Sequence, residues 1–159
     1  MTADFRLDSS RKGLGAVVID YENRGFDSLF VWGTNENQMY RNRAGRFEDV
    51  SEASGLPVGR PLSGTLVLDY DNDGQLDLFL GGRPSGLALY RNDGDDTFSD
   101  VTNEVGLSAH RGTRSRGMAA ADFDEDGFVD VLVIASDGGG FLLANDTAGT
   151  SFEVPASVF

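Results

Sequence analysis

Cysteine is absent from the 159 residues, and histidine and tryptophan occur once each. Disulfides and thiolate metal sites are therefore excluded, and a lone His110 supports neither a catalytic triad nor a zinc centre. No apolar run approaches the length of a membrane span. The opening stretch MTADFRLDSSRKG lacks the hydrophobic segment of a signal peptide, so the chain as it stands is expected to be soluble. Basic residues are scarce too: 13 Lys and Arg against 26 Asp and Glu leave a formal charge of −13. Nucleic acid and anionic membranes would be repelled, and neither is an expected partner.

What is present argues for one folded domain. A hydrophobic fraction of 40% with 11 Phe is enough for a real core at this length. Twelve of the 26 acids fall within residues 20–28, 69–77 and 122–130, so the acidity is largely a property of three short loops. Those loops sit inside an internal repeat. GAVVIDYENRGFDSLFVWG begins at Gly15, GTLVLDYDNDGQLDLFLGG at Gly64 and GMAAADFDEDGFVDVLVIA at Gly117. Their first acids, Asp20, Asp69 and Asp122, are spaced by 49 and then 53 residues. Behind each lies a second similarity, in which Asn42, Asn92 and Asn145 match one another and so do Phe47, Phe98 and Phe152.

Short apolar runs flank each acidic loop, and Gly-containing turns at 43–46 and 93–97 suit hairpins, so the local reading is all-β. No segment has a helical period, although VTNEVGL, at 101–107, is able to hold a short turn. Four strands in about 50 residues is the period of a β-propeller blade rather than a sandwich. The expected fold is a single repeat domain over 1–159 of three four-stranded antiparallel blades, at about 14–51, 63–102 and 116–159.

The acidic loops read as cation sites. In the second and third, Asp occupies positions 1, 3, 5 and 9, with Gly74 or Gly127 at position 6 for the sharp turn. Ca²⁺ takes six to eight oxygen ligands, and alternating carboxylates plus one carbonyl supply them; Mg²⁺ keeps its waters and fits less well. The expected ligands are Asp69, Asp71, Asp73, the Gln75 carbonyl and Asp77, then Asp122, Asp124, Asp126, the Phe128 carbonyl and Asp130. An EF-hand is excluded, because position 12 is Leu80 or Val133 and the flanks are strands. The first loop is degenerate: Asp20, Glu22, Arg24 and Ser28 occupy the corresponding positions, and weak or no calcium binding is expected there. Its Arg24 guanidinium either lies against Asp20 or Glu22 in place of a metal, or points into solvent.

Other candidates are weaker. HRGTRSRG, from His110 to Gly117, reads as an anion site or as an exposed link. Trp32 reads as a sugar-stacking ring or as packing. Arg11 and Arg60, each nine residues before a first Asp, suggest a recurring structural role. No nucleophile stands beside a base, so no catalysis is expected.

DYDNDGQLDLFL followed by LYRNDGDDTFSDVT resembles the FG-GAP/VCBS-type propeller repeats of integrin alpha-chain heads and of exported bacterial proteins with ASPIC/UnbV domains. The resemblance implies blades around an axis, calcium in the loop joining the first two strands, and an extracellular or cell-envelope location. It also implies a ring of about seven blades, where three are found. A larger ring completed by self-association, with six blades from two copies, is the expectation this raises. The resemblance implies a calcium-binding scaffold for self-assembly or protein–protein contact. Its alternatives are a glycan-binding propeller lectin, or an excised or engineered fragment with no independent function.

Overall fold

A computed structural model of the chain describes residues 13–82, 86–146 and 149–154. Arg11 and the tail beyond residue 154 lie outside the described residues, as do 83–85 and 147–148.

The expected all-β architecture is present as three four-stranded antiparallel sheets. The first comprises β1 (Gly13–Ile19), β2 (Ser28–Gly33), β3 (Gln38–Arg43) and β4 (Arg46–Asp49). The second is β5 (Leu62–Leu68), β6 (Asp77–Gly82), β7 (Leu87–Asn92) and β8 (Phe98–Asp100). The third is β9 (Ser115–Ala121), β10 (Asp130–Ala135), β11 (Gly140–Asn145) and β12 (Phe152–Glu153). Each sheet runs in chain order, and contacts between β1, β5 and β9 place the first strands side by side along the inner edge of the stack.

The repeat seen in the sequence is a repeat of register. Ile19 pairs Ser28, Leu68 pairs Asp77 and Ala121 pairs Asp130, so each acidic loop is closed at its base by the same strand pair. Asn42 pairs Phe47, Asn92 pairs Phe98 and Asn145 pairs Phe152 across the outer hairpins. Each inner strand also carries a one-residue irregularity, at Leu14, Ser63 and Arg116, which the sequence reading did not anticipate. Such a bulge reverses the alternation of side chains and bends the strand. The turn expected in VTNEVGL is present and runs on into a 3-10 helix at Leu107–His110.

Two cores separate the sheets. Between the first and second lie Ile19, Phe30 and Met39 from one side, and Leu78, Leu80 and Phe98 from the other. Between the second and third lie Phe79, Leu89 and Leu68, facing Val131, Val133 and Phe152. The middle sheet therefore buries both faces, and every residue of β6 is buried, whereas β1 and β9 leave most of theirs exposed or half-buried. Trp32 packs against the first of these cores, over Gly15, so its ring serves packing.

Candidate metal site

The three acidic loops share one backbone design. The position-1 carboxylate accepts two amides at positions 5 and 6: Arg24 and Gly25 on Asp20, at 3.0 and 2.6 Å. Asp73 and Gly74 bind Asp69 in the same way at 3.1 and 3.0 Å, as Asp126 and Gly127 bind Asp122 at 3.1 and 3.0 Å. Position 6 has φ of 76° in Gly25, 85° in Gly74 and 95° in Gly127. Only glycine adopts that region without a steric cost, so the turn, and with it the convergence of the carboxylates, depends on it.

Two trios of carboxylates converge. One oxygen each from Asp69, Asp71 and Asp77 lies within 4.8 Å of the others, and so does one each from Asp122, Asp124 and Asp130. Oxygens 2.3–2.6 Å from one calcium ion stand at most about 5 Å apart, so this spacing fits a shared ion. Among the described residues, none of these six carboxylates makes an ion pair. Asp73 and Asp126 stand outside the trios; their Oδ1 atoms accept the amides of Gln75 at 2.7 Å and Phe128 at 2.9 Å.

Position 9 has a second role that sequence alone did not reveal. Asp77 is fully buried, and its two oxygens accept the amides of Tyr70 at 3.1 Å and Asn92 at 2.8 Å. Asp130 is equally buried and accepts those of Phe123 and Asn145, both at 2.8 Å. The residue thus ties the loop to the third strand of its own sheet. Burial pushes the Asp77 carboxyl up to about 7; the two amide bonds oppose the shift, while the Asp71 and Asp73 charges add to it. Burial and the charge of Asp73 likewise raise Asp71. Asp124 is raised by desolvation and by Asp126, Asp130 and Asp122. A cation among these groups would favour the ionised forms that burial and mutual repulsion disfavour.

The first loop keeps the backbone and loses the trio. Ser28 replaces the position-9 Asp and, among the described residues, accepts one amide, that of Asn42 at 3.1 Å. The Arg24 guanidinium lies against Glu22, at 3.1 Å, rather than against Asp20, which is the contact expected from the first of the two alternatives. Arg43 reaches the same Glu22 oxygen at 3.6 Å, and Arg24 also reaches Asp96 of the second sheet at 3.6 Å. Asp96 in turn accepts from Arg41 at 3.3 Å. In this loop arginine brings positive charge to the acidic side chains.

Side chains from one sheet reach the loops of the next. Asn92 donates to the Tyr21 carbonyl at 2.8 Å, and Asn145 donates to that of Tyr70 at 2.6 Å. In the opposite direction Asn23 donates to the Gly74 carbonyl at 3.0 Å, and Asn72 to that of Gly127 at 2.9 Å. The repeated Asn was visible in the sequence; that it bridges sheets was not. The remaining candidates take structural places. Arg60 donates to the carbonyls of Gly86 and Leu87, at 3.1 and 3.4 Å, and Arg111 to Asn103 at 2.8 Å. His110 stacks on Phe141 with ring centroids 4.9 Å apart, and burial lowers its pKa.

Comparison with known proteins agrees with this architecture. The chain is similar to cartilage acidic protein 1 of Xenopus tropicalis, with 29% identity over 165 aligned positions that cover 99% of this chain and 21% of that protein. Among solved structures it is similar to a lectin of Agrocybe aegerita, described for its specific recognition of non-reducing terminal N-acetylglucosamine. That match has a TM-score of 0.57 and 21% identity, and covers 89% of this chain and 37% of the lectin chain. The chain thus spans about a fifth of the one protein and little more than a third of the other. The family model described as the FG-GAP-like repeat matches residues 20–80 and again 69–133, each time from one acidic loop past the next. With all three loops on those matches and the sheets repeating in register between them, the chain belongs to the FG-GAP-like repeat family.

Proposed function

We propose that this chain is a calcium-binding β-propeller repeat module, a non-catalytic scaffold for self-assembly or protein–protein contact outside the cytoplasm. It forms one repeat domain, with blades at about 14–51, 63–102 and 116–159. Asp69, Asp71, Asp73, the Gln75 carbonyl and Asp77 hold one ion; Asp122, Asp124, Asp126, the Phe128 carbonyl and Asp130 hold the other. The observation that carries this reading is the pair of carboxylate trios, each built around a fully buried Asp. Bound calcium supplies the positive charge that these loops otherwise lack. The protein's own residues set the loop: Asp69 and Asp122 fold it, and Asp77 and Asp130 fasten it to the third strand.

Calorimetric titration of chelator-stripped protein is expected to give two calcium ions per chain. A stoichiometry of none would sink the reading. Converting the first loop with Arg24→Asp and Ser28→Asp is expected to raise the count to three, since the backbone turn is already in place. An unchanged count would mean that the loop's geometry, rather than its ligand set, decides binding.

The fold likeness to a lectin supports a second reading, glycan binding. Trp32 offers it little, because that ring is half-buried against the core. A glycan array probed with the calcium-loaded protein tests it, and binding to a terminal sugar would favour it over the scaffold.

A further inference from the structure

Two bridges of hydrogen bonds run from the carboxylates of the second loop to those of the third. The first is a relay. Asp77 accepts the Tyr70 amide at 3.1 Å, the Tyr70 carbonyl accepts the Asn145 side-chain amide at 2.6 Å, and the Asn145 backbone amide ends on Asp130 at 2.8 Å. Three bonds thus connect the two buried acids, and Tyr70 and Asn145, which make them, are buried as well. The second bridge is direct. Asn72, between Asp71 and Asp73, donates to the Gly127 carbonyl at 2.9 Å. The amide of that same glycine is held by Asp122 at 3.0 Å. Asn72 sits at a φ of 56°, where Asn is among the few side chains tolerated.

The junction between the first and second sheets has like bonds with a different end. Asn92 joins Asp77 to the Tyr21 carbonyl, and Asn23 donates to the Gly74 carbonyl. Position 9 of the first loop, however, is Ser28, whose hydroxyl accepts the Asn42 amide. The relay from Asp77 in that direction reaches Tyr21 and meets no position-9 carboxylate beyond it.

We infer that the second and third loops bind calcium with positive cooperativity, each ion lowering the ordering cost of the other's loop through these two bridges. This rests on the calcium reading and adds a regulation to it. Like charges within a trio push its loop open, and an ion closes it. Closing the second loop fixes Asp71 and Asp77, and with them Tyr70 and Asn72. Those two residues hold Asn145 and Gly127, and Asn145 holds Asp130. The third loop then has less freedom left to lose when its own ion arrives. By linkage the effect is the same in the other direction. Charge acts in the opposite sense. One bound dication reduces the negative field that draws the second, so coupling through space alone weakens the second binding. The sign of the coupling therefore separates the two causes.

Calorimetric titration of chelator-stripped protein with calcium chloride, in about 0.15 M potassium chloride, tests it. Asp124→Ala leaves the second loop to bind alone, and Asp71→Ala leaves the third. The product of the two wild-type association constants, divided by the product of these two single-site constants, is the coupling factor. It is expected to be at least about five. Asn72→Gly, introduced into all three proteins, keeps the turn's φ and removes the donor. It is expected to lower the factor to about two, the relay through Asn145 carrying the remainder. Asn23→Gly, the same change at the other junction, is expected to leave the factor unaltered. A factor of one or below overturns the inference, as does a factor that Asn72→Gly leaves alone or that Asn23→Gly lowers equally. Stoichiometry keeps the two readings apart. Two bound ions with a factor of one overturn only the coupling, whereas a wild type that binds no calcium overturns both.

Discussion

Asp77→Ala is expected to destabilise the protein by about 3 kcal/mol in chelator, before any metal is involved. Both Asp77 oxygens accept buried amides, from Tyr70 and Asn92, and alanine leaves both without an acceptor. Each stranded buried donor costs about 1–3 kcal/mol, partly offset because a carboxylate no longer has to be buried. Asp71→Ala is the contrasting case. Asp71 is only half-buried and accepts a single long amide bond, at 3.3 Å. Its loss is expected to cost less than about 1 kcal/mol in chelator, but to remove much of the stabilisation that calcium adds. At a hundredfold excess over Kd that increment is about 3 kcal/mol per site, or roughly 5–10 °C in melting temperature. Thermal unfolding of both variants, with and without calcium, separates the roles. Equal behaviour in chelator would mean that position 9 is only a ligand.

Asn92→Leu is expected to cost about 3 kcal/mol, several times the cost of the same change at Asn42 in dilute protein. Asn92 is 1% exposed and makes three bonds: to the Tyr21 carbonyl of the first sheet, to its own Leu76 carbonyl at 3.2 Å, and from the Gly94 amide at 3.0 Å. Leucine keeps the volume and strands those groups in the junction. Asn42 keeps the local pair, to the Asp27 carbonyl at 2.8 Å and from the Gly45 amide at 2.7 Å, and lies where water reaches it. Denaturant unfolding measures both. Equal losses would show that the bond between sheets contributes nothing of its own.

The sheets were legible because the chain writes them three times. A spacing of 49 and 53 residues between first acids, with Asn and Phe held at fixed offsets behind them, fixes the strand count and the pairing across each hairpin. The convergence of Asp69, Asp71 and Asp77 follows from alternation within a tight turn and was legible for the same reason. What lay hidden were relations between repeats. Asn92 and Asn145 look like hairpin residues until their amides are seen on another sheet's carbonyl. The irregularities at Leu14, Ser63 and Arg116 leave no compositional mark, since a bulge accepts almost any residue. The double use of Asp77 was hidden because a metal ligand and a buried amide acceptor are the same residue type.

The ties between sheets also set a timetable for synthesis. Tyr21 precedes the Asn92 that grips it by 71 residues, and Tyr70 precedes Asn145 by 75. At about 5–20 residues per second, each loop tyrosine leaves the ribosome roughly 4–15 s before the Asn that grips it. During that interval the face carrying Ile19, Phe30 and Met39 stands open to every other nascent chain nearby. Only one such face is open at a time, however, because each arriving blade seals the last as it exposes its own.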